Sequence, residues 1–199
     1  YRHIVFVVAD GLVGQMMEPA ELPPMRELPT ERPDWALTGA KGRDKRLVTS
    51  LYLQAEEAET ANQVIQERLA RIQAAEQRWV EHDTDDAELL VVGFGTAGRI
   101  AYTAVETARE RGQKVGLLRP QTLWPFPAER LAELAEQVQA MLVVEMNAGQ
   151  MLDDVRLAVA GRVPVNFYGR MAGVVPMPEE IVDAIDREYQ KLPAGAAVE

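Results

Sequence analysis

Six consecutive residues, Gly93-Phe94-Gly95-Thr96-Ala97-Gly98, carry the spacing of a phosphate-cradling turn. Glycines in a G-x-G-x-x-G pattern allow a tight turn after a strand, close approach of a pyrophosphate, and close packing of the next helix on the sheet. That helix would aim its unpaired N–H groups at the phosphates. A nicotinamide site also wants an acidic residue at the end of the second strand, about 20 residues on. The sequence there reads Leu117-Leu118-Arg119-Pro120. Arg119 would suit a 2′-phosphate instead, so NAD(P) binding through Gly93, Gly95, Gly98 and Arg119 stands as the alternative. The preferred reading is that the glycines let a helix pack tightly on a sheet and that no ligand is held there.

Further polar residues follow other strands. Glu145, Asn147 and Gln150 come directly after an apolar run, where open α/β sheets place ligands or partners. A capped turn is the competing reading, since Asn147 tolerates left-handed backbone and Gln150 opens a helix. Asp10 and Gln15 follow the first apolar run and could reach a cleft or simply form a turn. Leu123-Trp124-Pro125-Phe126-Pro127 is stiff and apolar. Trp124 and Phe126 mark either an interface or a local core. Asp83, Asp85 and Asp86 lack neighbouring histidines and read as a solvated turn rather than a metal site.

Composition removes several classes of function. There is no cysteine, so thiol catalysis, disulfides and cysteine-ligated iron–sulfur clusters are excluded from this chain. His3 and His82 lie far apart and, on this reading, outside the βα core, so no metal site and no Ser/His/Asp triad is argued. The formal net charge of -10 opposes binding to nucleic acid. The basic spot at Lys41, Arg43, Lys45 and Arg46 reads as a solvated turn. Apolar runs are too short to cross a membrane as helices, and no secretory signal opens the sequence. A cytoplasmic location is the expectation. The start at Tyr1, without Met and inside an apparent strand, suggests a piece of something longer.

The elements that must position these residues follow from pattern. Residues 4–9 form a β-rich apolar run that reads as a strand, which either joins the main sheet or belongs to another domain whose earlier part is missing. Five prolines within residues 19–33 exclude helix and central strand and imply an extended linker. From Glu56 to Trp79 apolar residues recur in steps of three and four, which predicts one long amphipathic helix lying across the core. Strands over 88–92, 114–118, 141–145 and 163–168 then alternate with helices over 97–110, 128–139, 151–159 and 178–189. This alternation predicts an α/β fold, an open and mostly parallel sheet with helices on both faces. The tail from Pro193 reads as frayed.

Several motifs together resemble the α subunit of 2-oxoacid:ferredoxin oxidoreductases, of the branched-chain or 2-oxoisovalerate type. They are Asp10-Gly11-Leu12-Val13-Gly14-Gln15-Met16-Met17-Glu18-Pro19, the stretch from Asp86 to Gly98, and Gly116-Leu117-Leu118-Arg119-Pro120. Thr122-Leu123-Trp124-Pro125-Phe126-Pro127, Val143-Val144-Glu145-Met146-Asn147-Ala148-Gly149-Gln150-Met151, Phe167-Tyr168-Gly169-Arg170 and Gly173-Val174-Val175-Pro176 complete the set.

The resemblance implies the end of a pyrimidine-binding domain and a proline linker over 1–40, and a helical connector over 41–85. It implies a transketolase C-terminal-like domain over 86–192 and a flexible tail over 193–199. The assembled enzyme would oxidise a 2-oxo acid to an acyl-CoA with thiamine diphosphate, Mg²⁺, iron–sulfur clusters and CoA. Its partners would be a thiamine-diphosphate-binding β subunit, an iron–sulfur ferredoxin-like subunit and a γ subunit, with ferredoxin as acceptor. The family's pyrimidine-contacting glutamate has no counterpart in this sequence. The chain is therefore expected to be inert alone, with no catalytic residue and no cofactor of its own. Asp10, Gln15, Trp124, Phe126, Glu145, Asn147 and Gln150 remain interface or cleft candidates. A lipoyl-carrier docking domain, as in related dehydrogenase β subunits, is less well matched by the segments 145–151 and 167–170.

Overall fold

The computed structural model describes residues 1–28 and 30–193. Two compact units make up the chain: Tyr1–Gln15 with Ala70–Glu199, and Met16–Leu69. Most of the expected tail lies outside the described residues.

The second unit is irregular up to residue 54 and then enters α1 (Ala55–Ala75), which runs on into the first unit. Arg43 and Arg46, from the basic spot, donate to the carbonyls of Asp44 and Ala36. The apolar stripe of α1 is largely uncovered: Val64 and Ile65 are 50% and 45% exposed, and Ile72 is buried.

The first unit holds a five-stranded sheet in the order β1-β3-β2-β4-β5. Its strands are β1 (Trp79–His82), β2 (Leu89–Gly93), β3 (Val115–Pro120), β4 (Ala140–Glu145) and β5 (Val165–Gly169). Four strands run parallel, and β1 pairs antiparallel with β3 as an edge. The helices are α2 (Gly95–Glu110), α3 (Ala128–Leu134), α4 (Gln150–Val159) and α5 (Pro178–Tyr189). Side chains alternate across a strand, so β2 sends Leu89 and Val91 to one face and Leu90 and Val92 to the other. On the first face they meet Ala101, Ala104 and Val105 of α2 and Ile181 and Ile185 of α5. On the second they meet Leu131 and Leu134 of α3 and Val155 and Val159 of α4. Both faces are therefore covered, which is why β2 and β4 read as unbroken apolar runs. Each fully buried Leu or Val contributes about 1.5–3 kcal/mol from burial.

Three expectations are corrected. The long helix ends at Ala75, and Trp79 instead opens β1, held by register Trp79↔Pro120 to His82↔Leu117. His82 is therefore part of the sheet. The helix from Ala128 stops at Leu134 rather than continuing to Gln139. Of the two readings of residues 4–9, joining the main sheet is the one not found: they form no ladder, and Ile4 to Val8 are 73–96% exposed.

Candidate functional site

Chain order reverses between β2 and β4: β2 leads to β3 on one side, and β4 leads to β5 on the other. Open α/β sheets bind ligands outside the carboxyl ends of strands at such a switch point. Here it is flanked by Gly93 at the end of β2 and Glu145 at the end of β4, and the strands register Gly93 against Val144. Helices α2 and α4 both begin there, each offering unpaired N–H groups.

The α4 turn is filled from within. Glu145 is 1% exposed, yet its carboxylate is fully engaged. Oε1 accepts from the Leu152 amide at 2.9 Å, and Oε2 accepts from the Met151 amide and from Asn147 Nδ2, both at 2.9 Å. Asn147 Oδ1 in turn accepts from the amides of Gly149 at 2.7 Å and Gln150 at 3.0 Å. Two side chains thus satisfy four consecutive amides at the start of α4. A buried carboxylate is stable only with such partners. Gln150 contributes its amide, while its side chain stays exposed. The structure brings Glu145, Asn147 and Gln150 together as one helix cap.

The glycine turn is closed by packing. A Cβ on Gly98 would stand 2.4 Å from the Gly93 carbonyl oxygen, and one on Gly93 would stand 3.1 Å from Gly98 Cα. The Gly98 amide donates to the Phe94 carbonyl at 2.9 Å. Gly95 adopts φ +54° in the exposed bend between them. Only glycine lets strand and helix backbones touch at Gly98. The Arg119 Nε lies 3.3 Å from the same Cβ position, tucked against the turn.

Asp10 comes to this turn from the start of the chain. Its Oδ1 accepts from the Val13 amide at 2.9 Å, and its Oδ2 lies 3.7 Å from the Cβ position of Gly95. The Thr96 side chain and the Val13 amide hold the Asp10 carboxyl below its usual range, with the Thr96 and Leu12 amides adding to the effect. Sequence reasoning missed this meeting of Asp10 and Thr96, because nothing local links two residues so distant in the chain.

After β3 the loop holds a cis peptide between Trp124 and Pro125, with the Thr122 hydroxyl donating to the Pro125 carbonyl at 2.7 Å. Leu123 and Trp124 are each 47% exposed, and the His3 ring lies 5.8 Å from that of Trp124. Phe126 packs on the core formed with α3 and α4. Phe126 thus packs with the local core, while Trp124 is half-exposed. Gln15 ends an exposed 3-10 turn (Val13–Gln15).

Among the described residues no three His, Asp or Glu side chains converge to hold a metal ion. Asp83 and Asp86 pair instead with Arg109. A diphosphate with its magnesium would need such carboxylates and a free helix N-terminus. Without such carboxylates among the described residues, and with α4 capped by Glu145 and Asn147, these residues do not fit thiamine diphosphate with its magnesium. No helix of the described residues is long and apolar enough to cross a membrane.

Residues 87–181 match the family described as pyruvate:ferredoxin oxidoreductase core domain II. The ketoisovalerate oxidoreductase subunit VorB of Methanothermobacter thermautotrophicus is 43% identical over 187 residues, covering 93% of this chain and 52% of that protein. The 2-oxoglutarate synthase subunit KorA of the same organism is 32% identical, covering 93% of this chain and 56% of that one. The chain therefore spans about half the length of these relatives. In fold it is similar to 2-oxoglutarate:ferredoxin oxidoreductase from Magnetococcus marinus, with TM-score 0.63 and 18% identity over 70% of this chain and 24% of that one. It is also similar to a split-gene transketolase, with TM-score 0.51 and 16% identity over 58% of this chain and 42% of that one. The NAD(P) reading draws no support from these likenesses. Over residues 87–181, what the chain is similar to is thus the pyruvate:ferredoxin oxidoreductase core domain II family.

Proposed function

We propose that this chain serves as an assembly domain in the α subunit of a thiamine-diphosphate-dependent 2-oxoacid:ferredoxin oxidoreductase of the ketoisovalerate type. The observation that carries this reading is the 43% identity to a ketoisovalerate oxidoreductase subunit across 93% of the chain. The enzyme would convert a branched 2-oxo acid and CoA to an acyl-CoA and pass electrons to ferredoxin in the cytoplasm. Thiamine diphosphate would supply the carbanion sink, and iron–sulfur clusters the electron path. Both belong to partner chains on this reading: a β subunit for thiamine diphosphate and Mg²⁺, and a cysteine-bearing ferredoxin-like subunit. A γ subunit completes the set. The domain's own part is architecture, with the half-exposed Leu123 and Trp124 as a contact for a neighbouring subunit.

Co-expression with the β, γ and ferredoxin-like subunits tests the proposal. The chain, joined to the family's pyrimidine-binding domain, is expected to co-purify in a complex that reduces viologen with 2-oxoisovalerate and CoA. Equal assembly and turnover without the chain would overturn it.

A further inference from the structure

Helices α2 and α4 start at the same crevice but are capped differently. Phe94 precedes α2 and gives no side-chain hydrogen bond, and the first turn holds no acidic residue. A helix of 16 residues thus presents a positive end with no local carboxylate. Two polar atoms beside it are buried without a hydrogen-bond partner: Thr96 Oγ1 and Arg119 Nε. Thr96 is 4% exposed, and its hydroxyl faces the Asp10 carboxylate without completing a hydrogen bond. Arg119 stands on the other side of the turn, next to Gly98. A buried hydroxyl and a guanidinium nitrogen without hydrogen-bond partners, beside a helix start with no side-chain cap, form the donor set of an oxyanion site. The Oδ2 of Asp10 lies at the same end of α2, 3.7 Å from the Cβ position of Gly95.

We propose that the α2 turn is an anion site that the chain fills with its own Asp10 carboxylate, and that it takes a phosphate dianion once this carboxylate is removed. The glycines still serve packing, since Gly98 must abut Gly93 whether or not the site is filled. Asp10 closes the leading segment onto the turn. Phosphate and the segment around Asp10 compete for one place, so a phosphate-bearing molecule that wins it also frees the segment. This inference is independent of the assembly proposal, because it concerns donors and an acceptor within a single unit.

The test titrates inorganic phosphate, at constant ionic strength, into the 199-residue chain and its variants, following heat and backbone amide shifts. Wild type is expected to show no saturable binding. Asp10→Ala should bind about tenfold tighter or better, with the largest shifts at the Gly95, Thr96 and Ala97 amides. Adding Thr96→Val should reverse most of that gain. Asp10→Ala that binds no better than wild type, or binds with shifts confined to other places, overturns the proposal. Should Asp10→Ala not fold, a pH titration of wild type decides. The Thr96 amide must then move with a midpoint below the ordinary aspartate value, and an unmoved amide sinks the idea.

Discussion

At the switch point the Glu145 carboxylate and the pair Gly93 and Gly98 are committed to the fold. Glu145 accepts three hydrogen bonds from α4 and Asn147, with both carboxylate oxygens engaged, so its charge is committed to the cap. Gly93 and Gly98 bring backbone to backbone, at a spacing no side chain tolerates. Gly98→Ala would force the strand and helix apart, and overpacking of this kind costs about 1–3 kcal/mol. The urea midpoint should fall accordingly, with the slope of the transition unchanged. A variant as stable as wild type would show that the contact is slack. The motif itself was legible in the sequence, and so was its lack of an acidic partner after β3. The Asp10 contact was not, because it joins groups that only the fold brings together.

Elements are held by charges that the apolar pattern does not reveal. Glu81 on β1 makes a two-pronged pair with Arg130 on α3, with Oε1 to Nε at 2.7 Å and Oε2 to Nη2 at 2.9 Å. Trp79 Nε1 and the Thr84 hydroxyl donate to the same carboxylate at 2.6 and 2.8 Å. Arg130, burdened by some desolvation but helped by Thr84 and Trp79, draws the Glu81 carboxyl from 4.5 down to about 2. A depressed carboxyl stabilises the fold fully above its unfolded value, here about 4.5, and loses that contribution as pH falls towards 2. Glu81→Gln should therefore lose about 1–3 kcal/mol at pH near 7, and the gap from wild type should narrow at pH near 3. A gap that is the same at both pH values would contradict the pairing. This pair also bears on the two boundary corrections. Ala75 and Trp79 continue the apolar steps of α1, and Leu134 and Val138 continue those of α3, so periodicity gives no stop signal. What ends each helix is non-local: β1 is claimed by its ladder with β3, and Gln139 donates to Glu88 at the start of β2.

At the scale of the molecule, the parallel core was legible and the chain before it was not. Strands β2 to β5 are buried runs bounded by turns, and α2, α4 and α5 carry clear apolar stripes, so each was placed within two residues at most. Residues 4–9 read equally well as a strand, but a strand is defined by its partner, and the described residues offer none. The same logic applies to function. A glycine turn at a switch point looks like a cofactor site in sequence, and only the fold reveals that Glu145 caps α4 and that Asp10 lies beside Gly95. The central claim is that this domain contributes architecture and holds no cofactor of its own. NADPH, NADH and thiamine diphosphate with Mg²⁺ should each be titrated into the isotope-labelled chain while the amides of residues 94–98 and 149–152 are followed. The account predicts no saturable shift at either turn. Saturable, micromolar binding by any of the three would contradict it, most directly NADPH binding that moves residues 94–98 and is abolished by Gly95→Val.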